Sequence, residues 1–338
     1  MNQYGSDYDV MLKAREWLDD GHQVLLVTVL KTWGSSPRPV GSVMIMSNQG
    51  IIHGSVSGGC VEEDLLQRYL DHQLSDAFPT RINYGVNRTE ASRFGLPCGG
   101  RLELLIEQLD DVDELQQLLD AIQQQHLITR QVDLQSGEVS LQAASSQQTF
   151  EYNPHTVRKV FGVQWTLLLI GAGHLSHTVS QIALMLDYRV IVCDPRQEYA
   201  QNWQLDGTEL TTLMPDEAVQ YYTRNTRSAV VALTHDPKLD DMALLDALVS
   251  SAFYVGAIGS QRNCQARRDR LRQMGLTATQ INRLHAPTGL AIGSHTPAEI
   301  AVSILAEITQ QRNLVNHPVE SPAELSAGQP LKPSVSIL

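Results

Sequence analysis

The sequence predicts an α/β protein in two parts, an N-terminal α+β domain followed by a doubly wound parallel sheet. Three observations carry this reading. The first half sets apolar strands and a hairpin among three helices. The second half alternates four short apolar strands, TLLLI, RVIVC, SAVVALT and AFYVGAI, with helical segments beginning near His174, Pro215, Asp240 and Gln261, which is the rhythm of a parallel sheet covered on both faces. Between the halves, Glu151 to Gly162 contains Pro154 and no apolar periodicity, which predicts a linker. The expected division is residues 1–157, residues 158–313, and a Pro- and Ser-rich tail over 314–338 that is expected to be disordered.

Taken in order, Ser6 is placed to cap a first helix, with Asp9 at the capping-box position. Val10, Met11, Ala14, Trp17 and Leu18 form its apolar stripe and Gly21 closes it. VLLVTVL then reads as a strand. GSVMIMS and IIHGSV, on either side of Asn48-Gln49-Gly50, read as a hairpin. A helix is expected from about Val61 to His72, followed by strands at TRINYGV and RLELLIEQL. A polar helix is expected over Asp111 to Gln125, then Gln- and Ser-rich strands flank Ser136-Gly137. The final helix begins at Thr296-Pro297-Ala298-Glu299, where cap, N1 proline and capping-box glutamate coincide, and runs to about Arg312.

Composition excludes several classes. Of the 338 residues, 42% are hydrophobic and 18% charged, ordinary values for a globular protein. A formal net charge of -12 argues against a nucleic-acid surface. No apolar run is long enough to span a bilayer and the N-terminus lacks the order of a secretory signal, so no membrane partner is expected. The four cysteines, Cys60, Cys98, Cys193 and Cys264, are widely separated and form no CxxC pair. Reduced thiols in a cytoplasmic protein are expected.

Gly171-Ala172-Gly173-His174-Leu175-Ser176 joins TLLLI to its helix, and Asp194 closes the next strand. This is a dinucleotide-binding arrangement: Gly171 and Gly173 let backbone approach a pyrophosphate at a helix start, and an acidic residue can hold ribose. NAD(P) or another nucleotide is the ligand class it suits. A Rossmann-type domain that binds no NAD reads equally well. His174 is placed either to face the ligand or to cap the surface. Arg196, in Asp194-Pro195-Arg196, adds a cation able to pair with phosphate bidentately. Thr234-His235-Asp236 and Gly256-Ala257-Ile258-Gly259-Ser260-Gln261-Arg262 follow later strands on the same sheet edge. There Gly259, Ser260 and Arg262 suit an anion, and His235 is an even choice between a structural and a catalytic role.

Cys193 reads as core packing and Cys264 as a surface thiol. Cys60 and Cys98 differ from both, because each abuts a glycine pair, Gly58-Gly59 and Gly99-Gly100. Cys60 also falls near a helix start, where backbone amides favour thiolate. Glu62, Glu63 and Asp64 would oppose that if they pointed at the sulfur. Either loop alone reads as turn glycines beside a buried cysteine; the repetition points to chemistry, and Cys60 is then expected to sit in an open cleft facing the second domain rather than in an apolar core.

GSSPRPVGSVMIM, SGGCVEEDL and FGLPCGGRLELLIE resemble the XdhC/CoxI family of xanthine dehydrogenase accessory proteins. LLLIGAGHLSHTVSQIA, VCDPR, LTHDPKLDDMALLDAL, YVGAIGSQRN and GLAIGSHTPAEIAVSILAEI resemble the Rossmann domain of the same family, in the same order. The resemblance implies a chaperone rather than a turnover enzyme, one that binds the molybdenum cofactor (molybdopterin or its dinucleotide form). It supports sulfuration of the cofactor and delivers it to an apo molybdenum hydroxylase of the xanthine or aldehyde dehydrogenase type. A cysteine desulfurase is the implied sulfur donor and a homodimer the implied assembly. Cys60 and Cys98 would be molybdenum ligands or persulfide sites, and the Gly171 loop, Arg196 and Arg262 would hold the pterin phosphate or its nucleotide. The alternative is an NAD(P)-dependent oxidoreductase using the Rossmann half. Pro97, Gln261, Thr288 and Ala291 depart from the family's usual residues.

Overall fold

A computed structural model describes residues 5–33, 38–74, 77–85, 101–124, 126–145, 148–163 and 165–316. The chain forms two compact units, the first built mainly from residues up to Leu167 and the second mainly from Leu168 onward.

In the first unit, β1 (Val24–Trp33) is the centre of a five-stranded sheet with β2 (Val43–Ser47), β3 (Ile52–Gly54), β4 (Thr80–Tyr84) and β5 (Arg101–Leu109). The order is β3-β2-β1-β5-β4 and every pairing is antiparallel. The unbroken apolar run of β1 follows from burial on both faces. Val24 and Leu26 join a core with α1 (Ser6–Asp19) and α3 (Val112–Gln123), whereas Leu25, Val27 and Val29 join one with α2 (Cys60–Leu70). The expected hairpin at Asn48-Gln49-Gly50 is the β2–β3 pair.

Two local expectations change. Ser6 is the first residue of α1 rather than its cap, and the N-cap is Gly5, with no side-chain bond. The expected polar helix is amphipathic: Leu115, Leu118, Leu119 and Ile122 recur at helical spacing and are buried, and Asp111 caps it by accepting from the Glu114 N–H at 2.9 Å. Each such buried side chain contributes about 1.5–3 kcal/mol.

The expected linker is not a linker. Glu151–Tyr152 (β8) and Thr156–Phe161 (β9) are strands of a four-stranded antiparallel sheet, order β7-β6-β9-β8, with β6 (Ile128–Asp133) and β7 (Val139–Ala143). Asn153, whose side-chain oxygen accepts from the His155 and Thr156 amides at 2.9 Å, makes the turn. Tertiary pairing with β6 thus overrides the weak local pattern. Under this sheet, Arg130 is buried and held by Glu107 at 2.8 Å and Glu114 at 2.6 Å.

The second unit carries a six-stranded sheet in the order β12-β11-β10-β13-β14-β15. Its strands are β10 (Trp165–Ile170), β11 (Tyr188–Cys193), β12 (Thr208–Thr211), β13 (Ser228–Ala232), β14 (Tyr254–Ala257) and β15 (Leu284–His285). The helices are α4 (His174–Met185), α5 (Gln197–Ala200), α6 (Pro215–Tyr222), α7 (Pro237–Ala247), α8 (Gln261–Gln273), α9 (Ala278–Ile281) and α10 (Pro297–Asn316). Counted along the chain the strand order is 3-2-1-4-5-6, the doubly wound order with its switch point between β10 and β13. The short strands β12 and β15 escaped the sequence reading because neither contains an apolar run. The capping box at α10 stands as expected, with Thr296 and His295 amides donating to Glu299 at 2.9 and 2.7 Å. The tail from 317 lies outside the described residues.

Leu118 is fully buried between α1 and the five-stranded sheet. Leu118→Ala should cost about 2–5 kcal/mol, read as a lower urea midpoint at unchanged slope.

Candidate functional site

The first site is the loop Gly54–Gly59 leading into α2. Val56, Val61 and Leu65 anchor it to the apolar core, and Cys60 begins the helix with its side chain exposed. The thiol is thus exposed and not buried in an apolar core. Gly58 and Gly59 have φ of +100° and +152°, which favour glycine over any side chain.

The loop is organised around Glu62. One of its oxygens accepts from the Val56, Ser57 and Gly58 amides at 2.9, 2.7 and 2.9 Å and from Ser55 Oγ at 2.8 Å. The other accepts from the Gly59 amide at 2.9 Å and from Ser57 Oγ. Burial opposes ionisation of this carboxyl, but the bonds from Ser57, Gly58 and Gly59 outweigh it and hold the group well below the usual carboxylate range. One sequence expectation is corrected: the loop amides are given to Glu62 rather than to a Cys60 thiolate. The three neighbouring acids do not converge on the sulfur. Asp64 accepts from Tyr84 Oη at 2.8 Å and pairs with Arg68 at 2.7 Å, while Glu63 points to solvent. Cys98, Gly99 and Gly100 lie outside the described residues.

The second site is the carboxyl edge of the six-stranded sheet. Gly171 follows β10 at the switch point, and a Cβ there would approach the Thr234 backbone to 3.0 Å, so the loop after β13 closes directly on the glycine loop. Gly173 faces open space and His174 is exposed at the start of α4. Ser176, in the third glycine position, is buried, as close helix packing requires.

Asp194 is fully buried. It accepts from the Ala172 amide at 2.8 Å and from Arg196 Nε and Nη2 at 2.9 and 2.8 Å. Burial opposes its ionisation, and the bonds from Arg196 and Ala172 outweigh that and lower its pKa. Asp194 thus binds the glycine loop and Arg196 rather than standing free for a ribose. The bidentate partner of Arg196 is this carboxylate, and its guanidinium stacks over the Tyr199 ring at 3.9 Å.

His235 is exposed with φ +62°, and Asp236 caps α7 by accepting from the Lys238 amide at 2.9 Å. Gly259 leads to Ser260, whose Oγ accepts from the Asn263 amide at 3.3 Å and caps α8, with Arg262 exposed in the first turn. Cys264, expected at the surface, is buried behind Gly259, and burial raises its pKa. Cys193 is core, with burial and then Asp194 and Asp216 pushing its thiol up to about 12. Among the described residues, no group of three or more His, Cys, Asp or Glu forms a metal centre, and no helix is long and apolar enough to cross a membrane.

The model of the XdhC and CoxI family matches residues 17–84, and that of the XdhC Rossmann domain matches residues 167–308, together more than half the chain. The chain belongs to the XdhC and CoxI family. It is 26% identical over 316 residues to the molybdenum cofactor insertion chaperone PaoD of Escherichia coli (strain K12), covering 90% of this chain and 89% of that protein. It is 25% identical over 337 residues to a probable xanthine dehydrogenase subunit of Bacillus subtilis (strain 168), covering 91% and 98%. The uncharacterized protein YqeB of Escherichia coli (strain K12) is 26% identical over 292 residues; the match takes in 85% of this chain but spans only 43% of that longer protein. A solved xanthine dehydrogenase from Bacillus halodurans shares the fold, with TM-score 0.73 at 22% identity over 95% of this chain and 100% of its own.

In this XdhC and CoxI chain, sequence reasoning missed the side chains that set the loops. Glu62 was legible in part, since a glutamate three residues after Gly59 is a capping-box position. A second set gave no local signal. Asp240 accepts from Thr234 N at 3.1 Å and Thr234 Oγ1 at 2.6 Å and pairs with Arg267 at 2.7 Å. Arg267 also meets Asp241 at 3.2 Å and the Ile258 carbonyl at 3.0 Å. This buried network ties the ends of β13 and β14 together. Burial raises the Asp240 pKa despite the bonds from Thr234 and the charge of Arg267.

Arg267→Ala leaves the buried Asp240 without its cation, whereas Asp241 keeps Arg270 at 2.6 Å, and should cost about 3–5 kcal/mol in urea unfolding. Peptide-resolved alkylation of the native protein should label Cys60 and spare Cys193 and Cys264.

Proposed function

We propose that this chain is an accessory chaperone that carries the molybdenum cofactor as cargo, supports its sulfuration and delivers it to an apo molybdenum hydroxylase of the xanthine or aldehyde dehydrogenase type. The observation that carries the reading is an exposed thiol, Cys60, beside bare glycine backbone on a loop held rigid from within. A thiolate of this kind is a fitting ligand for molybdenum and a fitting carrier of sulfane sulfur from a cysteine desulfurase. Bare backbone at Gly58 and Gly59 leaves room for a bulky cargo to approach the sulfur. Cys98, with Gly99 and Gly100, is assigned the same chemistry from its sequence context.

The phosphate end of the cargo is assigned to the carboxyl edge of the six-stranded sheet. Gly171, whose own amide donates to the Cys193 carbonyl at 2.7 Å, sets the turn, Gly173 offers a backbone amide at the start of α4, and Gly259 and Ser260 do so at α8. Arg262 supplies an exposed positive charge. His174 and His235 flank the same edge, and Arg196 presents a cation already oriented by Asp194. The proposal includes residues 1–157 as the thiol-bearing domain and 158–313 as the Rossmann domain, a homodimer, and a cytoplasmic setting in which the thiols stay reduced. The names of two relatives, the insertion chaperone PaoD and the probable xanthine dehydrogenase component, support a molybdoenzyme client.

An NAD(P)-dependent oxidoreductase would use the same sheet edge. It is the weaker reading because the residue in the ribose position, Asp194, is buried and bonded to Ala172 and Arg196. It also leaves Cys60 without a task.

Protein expressed with molybdate should co-purify with molybdenum and pterin, measured by elemental analysis and pterin fluorescence. Cys60→Ser or Cys98→Ser should abolish this. Full loading of the double variant would remove the thiols from the mechanism, and saturable nicotinamide binding with substrate-dependent turnover would favour the oxidoreductase.

A further inference from the structure

We infer that Glu62 is the positioning residue of the Cys60 site: its buried carboxylate fills the ring of loop amides and thereby fixes where the thiol leaves the backbone. The inference rests on the reading of Cys60 as a working thiol, but not on which cargo it handles.

An ordinary capping-box glutamate satisfies one N–H, that of the N-cap residue. Glu62 does this at Gly59 and then gathers three further amides, from Val56, Ser57 and Gly58, together with the hydroxyls of Ser55 and Ser57. Successive amides can converge in this way because positive-φ glycines turn the chain into a concave nest. Nests of this shape normally receive a phosphate or another external anion. Here the anion is internal, and only 6% of Glu62 is exposed. The nest is therefore closed to phosphate, which separates the task of this loop from that of the Gly171 loop.

The effect on Cys60 follows from helix geometry. Residues two apart in a helix do not face each other, so Glu62 points into the loop while Cys60 points out. The direction taken by Cys60 depends on the φ of +152° and ψ of -82° at Gly59, where a Cβ would meet nothing within 4 Å. Gly59 is held by hydrogen bonds on both sides of its peptide unit. Its carbonyl accepts the first helical bond from the Glu63 amide at 3.2 Å, and its own amide is fixed by Glu62.

A role limited to global stability is separable by experiment. In the full-length protein, Glu62→Ala removes the carboxylate, and Glu62→Gln keeps the volume but turns a donor toward the Gly59 amide. The rate of Cys60 alkylation by iodoacetamide is read on its peptide, with Cys193 and Cys264 as reporters of the intact core. Loss of the clamp should raise the Cys60 rate several-fold in both variants while Cys193 and Cys264 stay protected. Formate added to Glu62→Ala should return the rate toward wild type, and sodium chloride at equal ionic strength should not. An unchanged Cys60 rate, labelling of all three cysteines together, or equal rescue by chloride overturns the inference. Because this readout needs no cofactor, it stands or falls separately from molybdenum loading, which should drop in the same variants.

Discussion

Backbone N–H groups aimed at buried or half-buried carboxylates hold the glycine-rich loops of this protein in place. Glu62 gathers the amides of residues 56–59, Asp194 takes that of Ala172 at 2.8 Å, Asp240 that of Thr234 at 3.1 Å, and Glu307 that of Gly289 at 2.6 Å. Glycine loops are costly to order, at about 1–2 kcal/mol of backbone entropy per residue. A hydrogen bond to a charged group returns about 1.5–3 kcal/mol, so a carboxylate that collects several amides offsets much of that cost. The same charge is unfavourable in the interior unless it is multiply bonded. That requirement accounts for the company these groups keep: Arg196 on Asp194, Arg267 on Asp240, and His285 with Tyr254 on Glu307.

These clamps act where the chain must present backbone without motion. At the switch point of the six-stranded sheet the Gly171 and Thr234 loops come within contact of each other, and each is secured from below by a different aspartate. The loops are thus set before any ligand arrives, which keeps the ordering cost out of binding. Tyr254, Thr288, His285 and Glu307 do the same for the segment after β15. There the Thr288 hydroxyl lies 2.6 Å from Tyr254 Oη. The hydroxyl is part of the polar cluster, and the tyrosine, raised in pKa chiefly by burial and by its bond to Glu307, stays protonated.

Much of the architecture was legible because it is written in local patterns. The apolar strands of the second half are marked by their own apolar runs, and the hairpin at Asn48-Gln49-Gly50 and the capping box at Thr296 rest on contacts between residues near in sequence. The strands at Glu151–Tyr152 and Thr156–Phe161 were not legible, since Thr156–Phe161 is held by pairing across the chain with Ile128–Asp133 and Glu151–Tyr152 pairs in turn with Thr156–Phe161. Cys60 and Cys264 make the contrast sharpest. Both are cysteines in the first turn of a helix, yet one is exposed and the other buried beneath Gly259. Helical position alone does not say which way a turn faces.

The sequence by itself determined the two-part organisation, the glycine loops and the identity of the residues able to do chemistry, because backbone freedom and apolar periodicity are local properties. Only the tertiary structure decided which charges are available. Asp194 and Arg196, each a candidate ligand group in the sequence, satisfy one another, and Glu62, read there as a neighbour able to oppose the thiol, holds the loop that carries it. The physical reason is burial. A charge withdrawn from water must find partners within the protein, and which partners lie within reach is set by the fold.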